Sequence, residues 1–476
     1  CFILFDECEK LVQDVHYRDS IREPMNDFFR FQNKALISAT PIVPEKDSRF
    51  DGFMRVLIQP DYVYRQKLKL ITTNNVLETL QEVIEAKRGT VCIFCNSIDS
   101  IDSFYRLIPE LSNACTFCSE DGQYKLWKGN RRKKSMMITE LERYNFFTSR
   151  FYSAVDILCK NPPHVIFVSD LYGAAQSVID PATEAIQIIG RFRGGVNSVT
   201  HIASIRPELE CMSSSEIDHW IQGASTIFNG WKAQLARTTN IGERTLLQEA
   251  IGENSYLPYL DENGKPDSFL IANFYEKEQV KRLYTSADLL HLAYEQTGYF
   301  VFSHEERLMP VSDNERMAIQ HRLAKKKRAE LIVRKLEEME KMSRATDKKI
   351  QKRYQRMLMN LITSTADRYI YDCFCRFGAE FVREADYNEN KLRTALNVSS
   401  EHTIKKSGQM RTYIQRAFPV GAEISVQEAK SMLRQVYKKM GLNTGRGITT
   451  KELEQYAEIE NSRNREARMI KILKHK

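Results

Sequence analysis

Gln187-Ile188-Ile189-Gly190-Arg191-Phe192-Arg193-Gly194-Gly195 is the stretch on which the reading of this chain turns. A helical run of apolar residues delivers a Gln, a Gly and two Arg to one spot. Arginine carries a permanent charge on a forked head suited to phosphate. Gly190 would let the backbone approach whatever those arginines hold. By itself such a Gly-flanked Arg pair is more often a solvated helix cap. Two other stretches argue for more. Phe2-Ile3-Leu4-Phe5 runs into Asp6-Glu7-Cys8-Glu9, and Ala35-Leu36-Ile37 runs into Ser38-Ala39-Thr40-Pro41. Apolar runs of this length read as buried parallel strands, and open α/β sheets bind ligands at the carboxyl ends of such strands. Each stretch has a plain reading as well, an acidic strand end or a simple turn. Their order along the chain is less easily met by chance.

That order resembles the superfamily 2 helicases, the DEAD/DEAH-box type and its relatives. Asp6-Glu7-Cys8-Glu9 is similar to motif II, Ser38-Ala39-Thr40 to motif III, and Gln187 to Arg193 to motif VI. Ile93-Phe94-Cys95-Asn96-Ser97 resembles motif IV. Phe146-Phe147-Thr148-Ser149-Arg150, continuing to Ala154-Val155-Asp156, resembles motif V. The resemblance covers about the first two-fifths of the chain. The spelling Gly-Arg-Phe-Arg is closer to viral or phage origin-binding helicases and type III restriction motors than to true DEAD-box proteins. Three departures stand out: Glu9 in place of Asp or His, Ala154 where motif V has Gly, and Arg193 one place early.

The resemblance implies an ATP-dependent DNA helicase or translocase, with ATP and Mg²⁺ as cofactors and a role in viral, phage or mobile-element replication. Asp6 would hold Mg²⁺ through water, and Glu7 would activate the attacking water. Arg191 and Arg193 would stabilise charge on the γ-phosphate. Gln187, Gly190 and Asp156 would line the ATP cleft, and Ser38 and Thr40 would couple it to the lobe interface. Asn96, Ser97, Thr148, Ser149 and Arg150 would grip a nucleic-acid backbone, DNA rather than RNA. Such contacts carry no base information. A motor subunit of a restriction–modification system is the alternative, as is a non-catalytic helicase-like nucleic-acid-binding protein.

The chain opens at Cys1 inside a strand pattern, and no Gly-x-x-x-x-Gly-Lys-Ser/Thr pattern occurs in its 476 residues. The phosphate-binding loop is therefore expected upstream, and this stretch alone is not expected to hydrolyse ATP. No apolar run is long enough to span a bilayer, and nothing resembles a signal peptide. The formal charge is +8. The excess gathers at Lys325-Lys326-Lys327-Arg328, at Lys348-Lys349 and Lys352-Arg353, and from Arg463 to Lys476. Clusters of this kind fit a polyanion, although a single one is more often a solvated helix face. Lys325, Lys326 and Lys327 are counted among the nucleic-acid contacts.

Cys92-x-x-Cys95 and Cys115-x-x-Cys118 have a spacing near that of a zinc ribbon. Val91 to Cys95 reads as a strand, however, and residues three apart in a strand point to opposite faces. These cysteines are therefore expected to be structural. The rest read as buried small hydrophobes of a reducing, intracellular compartment.

The expected fold class is α/β: a RecA-like parallel-sheet lobe, preceded by the end of a first lobe and followed by a mostly α-helical extension. Residues 1–58 are assigned to lobe one and 59–206 to lobe two. Within lobe two, helices are expected over Val76–Ala86 and Ile98–Leu107, the latter capped near Asp99, with an exposed basic loop at Gly129–Lys134. His164–Ser169 is read as a strand and Val199–Ile205 as the closing strand. Residues 207–320 form a mixed accessory region, with a helix starting at Ser213–Glu216 and a turn at Asn263-Gly264. Residues 321–476 form a basic helical region. A single charged helix is expected from Glu315 to about Asn360. Its stripe of Ala329, Ile332, Leu336, Met339, Ile350 and Met357 reads as a core-facing seam, broken at Ser343 and Thr346. Ser425/Glu428 and Thr449/Glu452 read as capping boxes. Between them a helix and a Gly-rich turn lead to a short helix and a basic end. That run reads either as a small nucleic-acid-binding module or as a scaffold packed on the motor.

Overall fold

A computed structural model describes the chain apart from residues 17, 63, 128–132, 139, 154, 310, 320–322, 343–347, 443–446 and 464–466. Two compact units result, Cys1–Glu315 and Arg316–Lys476. The first is α/β. Its strands are β1 (Phe2–Asp6), β2 (Asn33–Ile37), β3 (Gln66–Thr73), β4 (Val91–Phe94), β5 (Cys115–Phe117), β6 (Lys133–Ser135), β7 (Tyr144–Phe147), β8 (His164–Ser169), β9 (Ser198–Ser204) and β10 (Phe300–Arg307).

Strands β3 to β10 form one sheet in the order β10-β3-β9-β8-β4-β7-β5-β6, and every neighbouring pair is parallel. A parallel sheet must be covered on both faces, and the sequence provides for this. Along β4 and the residue after it, Cys92 and Phe94 point into one core with the helix Glu184–Gly190, whereas Val91, Ile93 and Cys95 point into another with the helices Val76–Glu85 and Ile98–Leu107. Phe147 stacks between Phe94 and Phe117, at centroid distances of 5.0 and 4.8 Å, and ties the three neighbouring strands together. The cysteine pairs follow the same alternation. Cys92 and Cys115 lie in the first core, Cys95 and Cys118 in the second.

Strands β1 and β2 form a separate parallel pair. They were expected to be buried, yet Phe2, Leu4 and Ile37 are exposed, at 64%, 53% and 46%. Only the opposite face is packed, with Ile3, Phe5 and Leu36 against Val12, Phe28 and Phe269.

Past residue 206 the sheet has not ended. β9 is an inner strand, and the edge strand β10 comes from the stretch read as accessory. Between them runs a helical insertion. The helix Ser214–Arg237 starts where the sequence indicated, and Ser213 and Glu216 form a capping box there. The helix Ser268–Leu283 ties itself to the N-terminal segment: Asn273 donates to the carbonyl of Val12 at 2.8 Å, and Arg22 pairs with Asp267 at 2.6 Å. Asn263-Gly264 turns as expected, with Gly264 at φ +71°.

The second unit is helical with one small sheet. The single helix expected from Glu315 is instead Asp313–Met317, then Lys325–Met342 and Lys348–Ser364, with 320–322 and 343–347 outside the described residues. Ala329, Ile332 and Leu336 are buried, so the stripe does face a core. The side chains of Ile350 and Met357, and the expected breaks at Ser343 and Thr346, lie outside the described residues. The basic tail is not helical. It forms β13 (Arg468–His475), which pairs antiparallel with β11 (Glu423–Ser425) and β12 (Ala457–Arg463). Alternation of Ile470 and Ile472 inward with Lys471 outward suits a half-buried strand, and that pattern was overlooked beneath the charge.

Candidate functional site

Parallel pairing puts Asp6 in register with Ile37, so the residues that follow the two strands emerge side by side. Glu7 takes a left-handed φ of 54°, a conformation costing a residue with a Cβ on the order of 1 kcal/mol, and reverses the chain into the helix Lys10–Gln13. Its backbone N–H donates to Asp6 Oδ1 at 2.8 Å. Glu9 lands fully buried. Ser38 donates to the Glu9 carboxylate and accepts the N–H of Thr40 at 2.9 Å.

The helix Glu184–Gly190 delivers Gln187 to this group. Its side-chain amide donates to Thr40 Oγ1 at 3.0 Å, Glu9 Oε1 at 3.2 Å and Glu7 Oε2 at 3.3 Å. Two amide hydrogens are shared among three oxygens. On its other side Gln187 Oε1 accepts from Arg191 Nη2 at 3.2 Å, and Arg191 Nη2 stands 4.0 Å from Glu7 Oε1. Arg191 is buried and also donates from Nε to the Gln187 carbonyl at 3.0 Å. The stretches resembling motifs II, III and VI thus meet at one amide. Burial pushes the Glu9 carboxyl up to about 7, with the neighbouring Glu7 adding to the rise and the Ser38 hydroxyl opposing it. Burial likewise pushes the Cys8 thiol up to about 11.

Glu9 is the member that sequence reading did not assign to the site. The spelling of the acidic run flagged it, but nothing in the sequence said that it would be buried. A further tie was invisible for the same reason. Gln13 donates to Thr183 Oγ1 and to Glu276 Oε1, both at 3.0 Å, and Thr183 donates to Asp180 Oδ2 at 2.6 Å. These residues lock the helix Lys10–Gln13, the start of the Gln187 helix and the insertion together.

Arg193 stands apart from this cluster. It is exposed and pairs with Asp156 at 3.0 Å, while the N–H of Ile157 donates to the Arg191 carbonyl at 2.9 Å. Gly190 closes its helix, and a Cβ there would meet nothing within 4 Å. No close approach in this structure demands glycine. Asp6 is exposed, and one of its oxygens is free of the Glu7 contact. A Mg²⁺ ion takes few protein ligands and keeps several waters, so an exposed carboxylate beside Glu7 fits one.

The other set gathers at the carboxyl ends of the neighbouring strands β4 and β7, but its members differ. Ser97 is buried and caps the helix Ile98–Leu107 by accepting the Ser100 N–H at 3.1 Å; the cap is Ser97 and not Asp99. Thr148 is buried, with its hydroxyl directed at the Phe117 carbonyl at 3.4 Å. Both hydroxyls are engaged within the fold, whereas Ser149 and Arg150 are exposed and Asn96 is half-buried. Ala154 and residues 129–132 of the basic loop lie outside the described residues.

The chain's direction across the sheet reverses between β4 and β8, where ligands of open sheets bind. Here that crevice is closed. Asp170 accepts from Ser100 Oγ at 2.9 Å and from the Gly173 N–H at 3.0 Å, and a Cβ on Gly173 would sit 2.2 Å from Asp170 Oδ2. A cavity of about 1050 Å³ lies elsewhere, between the loop Ala39–Lys46, Ile186 and the insertion; Asp6, Glu7 and Arg191 do not line it.

In the second unit, Lys325 pairs with Glu389, Lys326 with Asp386 at 2.7 Å and Arg328 with Asp367 at 2.6 Å. Of the three lysines assigned to nucleic acid, only Lys327 is exposed without an ion pair among the described residues. Thr449 does not cap with its side chain, and Glu452 is held by Lys405 at 3.0 Å and Tyr437 at 2.8 Å. Ser425 and Glu428 do form their box.

Among the described residues no group of three or more His, Cys, Asp or Glu is placed to hold a metal ion, and no helix is long and apolar enough to cross a membrane. No protein-family model matches this chain, and no curated protein matches it.

Proposed function

We propose that this chain supplies the acidic and arginine elements of an ATP-dependent nucleic-acid motor of the superfamily 2 type, acting on DNA inside the cell. The observation that carries the reading is the Gln187 junction. One amide touches Glu7, Glu9 and Thr40 while holding Arg191, whose guanidinium stands 4.0 Å from Glu7. Phosphoryl transfer needs positioning and charge stabilisation more than covalent chemistry from the protein. Glu7 orients and deprotonates a water. Arg191 stabilises charge developing on the terminal phosphate from the other side. Asp6 would hold Mg²⁺, which would neutralise phosphate charge. Ser38, Thr40 and Gln187 make the water-activating side and the arginine side move together, and that is the coupling a motor needs. Arg193 and Asp156 form an exposed pair able to open toward a nucleotide. Asn96, Ser149 and Arg150 contact the nucleic-acid backbone.

The test is DNA-stimulated ATP hydrolysis by a protein that joins this chain to a phosphate-binding loop. Glu7→Gln should retain ATP and DNA binding and stall. Turnover that survives both Glu7→Gln and Arg191→Ala would sink this site as the catalytic one, and no DNA-stimulated turnover in the loop-bearing parent would leave a non-catalytic nucleic-acid-binding protein.

A further inference from the structure

The last 72 residues differ from all the others in charge. Residues 405–476 hold 16 of the 70 Lys and Arg but only 7 of the 62 Asp and Glu. This stretch alone is therefore +9, and the rest of the chain sums to −1. The same residues build a core of their own: Met410, Ile414, Leu433, Tyr437, Leu453 and Ile472 are buried in one cluster, to which no residue before Ile404 contributes. Its order is helix (Gly408–Ala417), β11, helix (Val426–Lys439), short helix (Thr450–Gln455), then the hairpin β12–β13, with β13 between β11 and β12. Helix, strand, helix, a short 3-10 helix and then a β-hairpin whose last strand lies between the other two is the element order of a winged helix-turn-helix unit. In such units the second helix of the helix-turn-helix meets a DNA groove and the hairpin flanks it.

The placement of individual residues agrees. Glu452 faces inward, held by Lys405 and Tyr437, which fixes the roll of the short helix and leaves Lys451, Glu454 and Gln455 outward. Arg463 and Arg468 face each other in register where the hairpin strands end. Arg434, Lys438, Lys439, Lys451, Arg463 and Arg468 are exposed, and none makes an ion pair among the described residues, unlike Lys325 and Lys326. Lys471 and Lys474 stand opposite Glu460 and Glu458 in the register, so their charge is offset within the hairpin.

We propose that residues 404–476 are a double-stranded-DNA-binding module that acts independently of nucleotide. The short helix addresses the major groove, and Arg463 and Arg468 grip the adjoining phosphates. B-form DNA has a major groove wide enough for a helix, whereas that of duplex RNA is deep and narrow. A second copy of this chain offers little net charge to oppose the module's +9, since everything outside the module sums to −1.

The experiment measures binding of the whole chain to a labelled DNA duplex across a salt series, without nucleotide. Each phosphate contact contributes about 0.9 to the log–log salt slope. Arg463→Gln with Arg468→Gln should lower the slope by about 2 and weaken binding at 0.1 M salt by roughly tenfold or more. Arg463→Lys with Arg468→Lys should recover most of the loss, which a merely misfolded variant would not show. Lys325→Gln with Lys326→Gln should leave the slope in place. An unchanged slope in the Gln pair, loss of binding only with Arg150→Gln, or tighter binding to an RNA duplex would each overturn the proposal. No step depends on ATP, so the outcome stands whatever Glu7→Gln does to turnover.

Discussion

Gln187 donates to Glu9 at 3.2 Å across 178 positions of sequence. Both are buried, Glu9 fully so, and water does not stand in for a partner that either one loses. A buried polar group left without its partner costs roughly 1–3 kcal/mol. Gln187→Ala should therefore destabilise the first unit by about that much. Gln187→Glu should cost more at neutral pH, since it sets a third carboxyl against Glu7 and Glu9, and should recover at pH 5. Thermal unfolding at the two pH values checks this. Equal losses for both variants at both pH values would mean that the junction is not formed.

Stability should fall as the pH rises through neutrality. Burial pushes Glu9 and Glu276 up to about 7 and Glu184 up to about 8, from an ordinary 4.5. A carboxyl raised in the folded state favours the neutral form. Its contribution is complete below pH 4.5 and is lost as the pH climbs through 7 to 8. Glu9→Gln keeps the amide-sized shape without the charge, so it should flatten part of that decline. The melting temperature at pH 5 minus that at pH 8 should shrink in the variant. An undiminished difference would show that Glu9 is not the titrating group.

In a protein that carries a phosphate loop, Arg191→Ala should reduce ATP turnover by on the order of a thousandfold with little effect on nucleotide binding. The double variant Glu7→Gln/Arg191→Ala should be little worse than either single one, because both groups serve one step. Arg193→Ala should cost much less, since Arg193 is exposed and held by Asp156. The opposite ranking would move the finger to Arg193.

The chain as given should show no ATP hydrolysis above background, because no Gly-x-x-x-x-Gly-Lys-Ser/Thr pattern is present to hold a β-phosphate. Steady-state phosphate release measures it. DNA-stimulated release that Glu7→Gln abolishes would contradict this.

Purified protein should carry no stoichiometric zinc. Cys92 and Cys115 lie in one core and Cys95 and Cys118 in the other, on opposite faces of the sheet. Elemental analysis decides the matter. One zinc per chain that disappears with Cys92→Ala and Cys115→Ala would refute it.

The sequence by itself determined the parallel lobe and the pieces of its candidate site. Continuous apolar runs ending in Asp6-Glu7, Ser38 and Asn96 mark strands, and a strand's carboxyl end is where its next residues must lie. Local signals of this kind depend only on neighbours in the chain. They also indicated the helix start at Ser213, the capping box at Ser425 and the split of Cys92 from Cys95. Tertiary structure decided the remainder, because burial and ion pairing depend on residues far away in sequence. Glu9 became the buried centre of the junction only when Gln187 arrived. Ser97 and Thr148 became part of the scaffold because a helix start and the Phe117 carbonyl claimed their hydroxyls. Lys325 and Lys326 lost their availability to Glu389 and Asp386. The stretch from Arg468 to His475, read for its charge, became a strand because β11 and β12 offered an edge on each side and Ile470 and Ile472 had a core to enter.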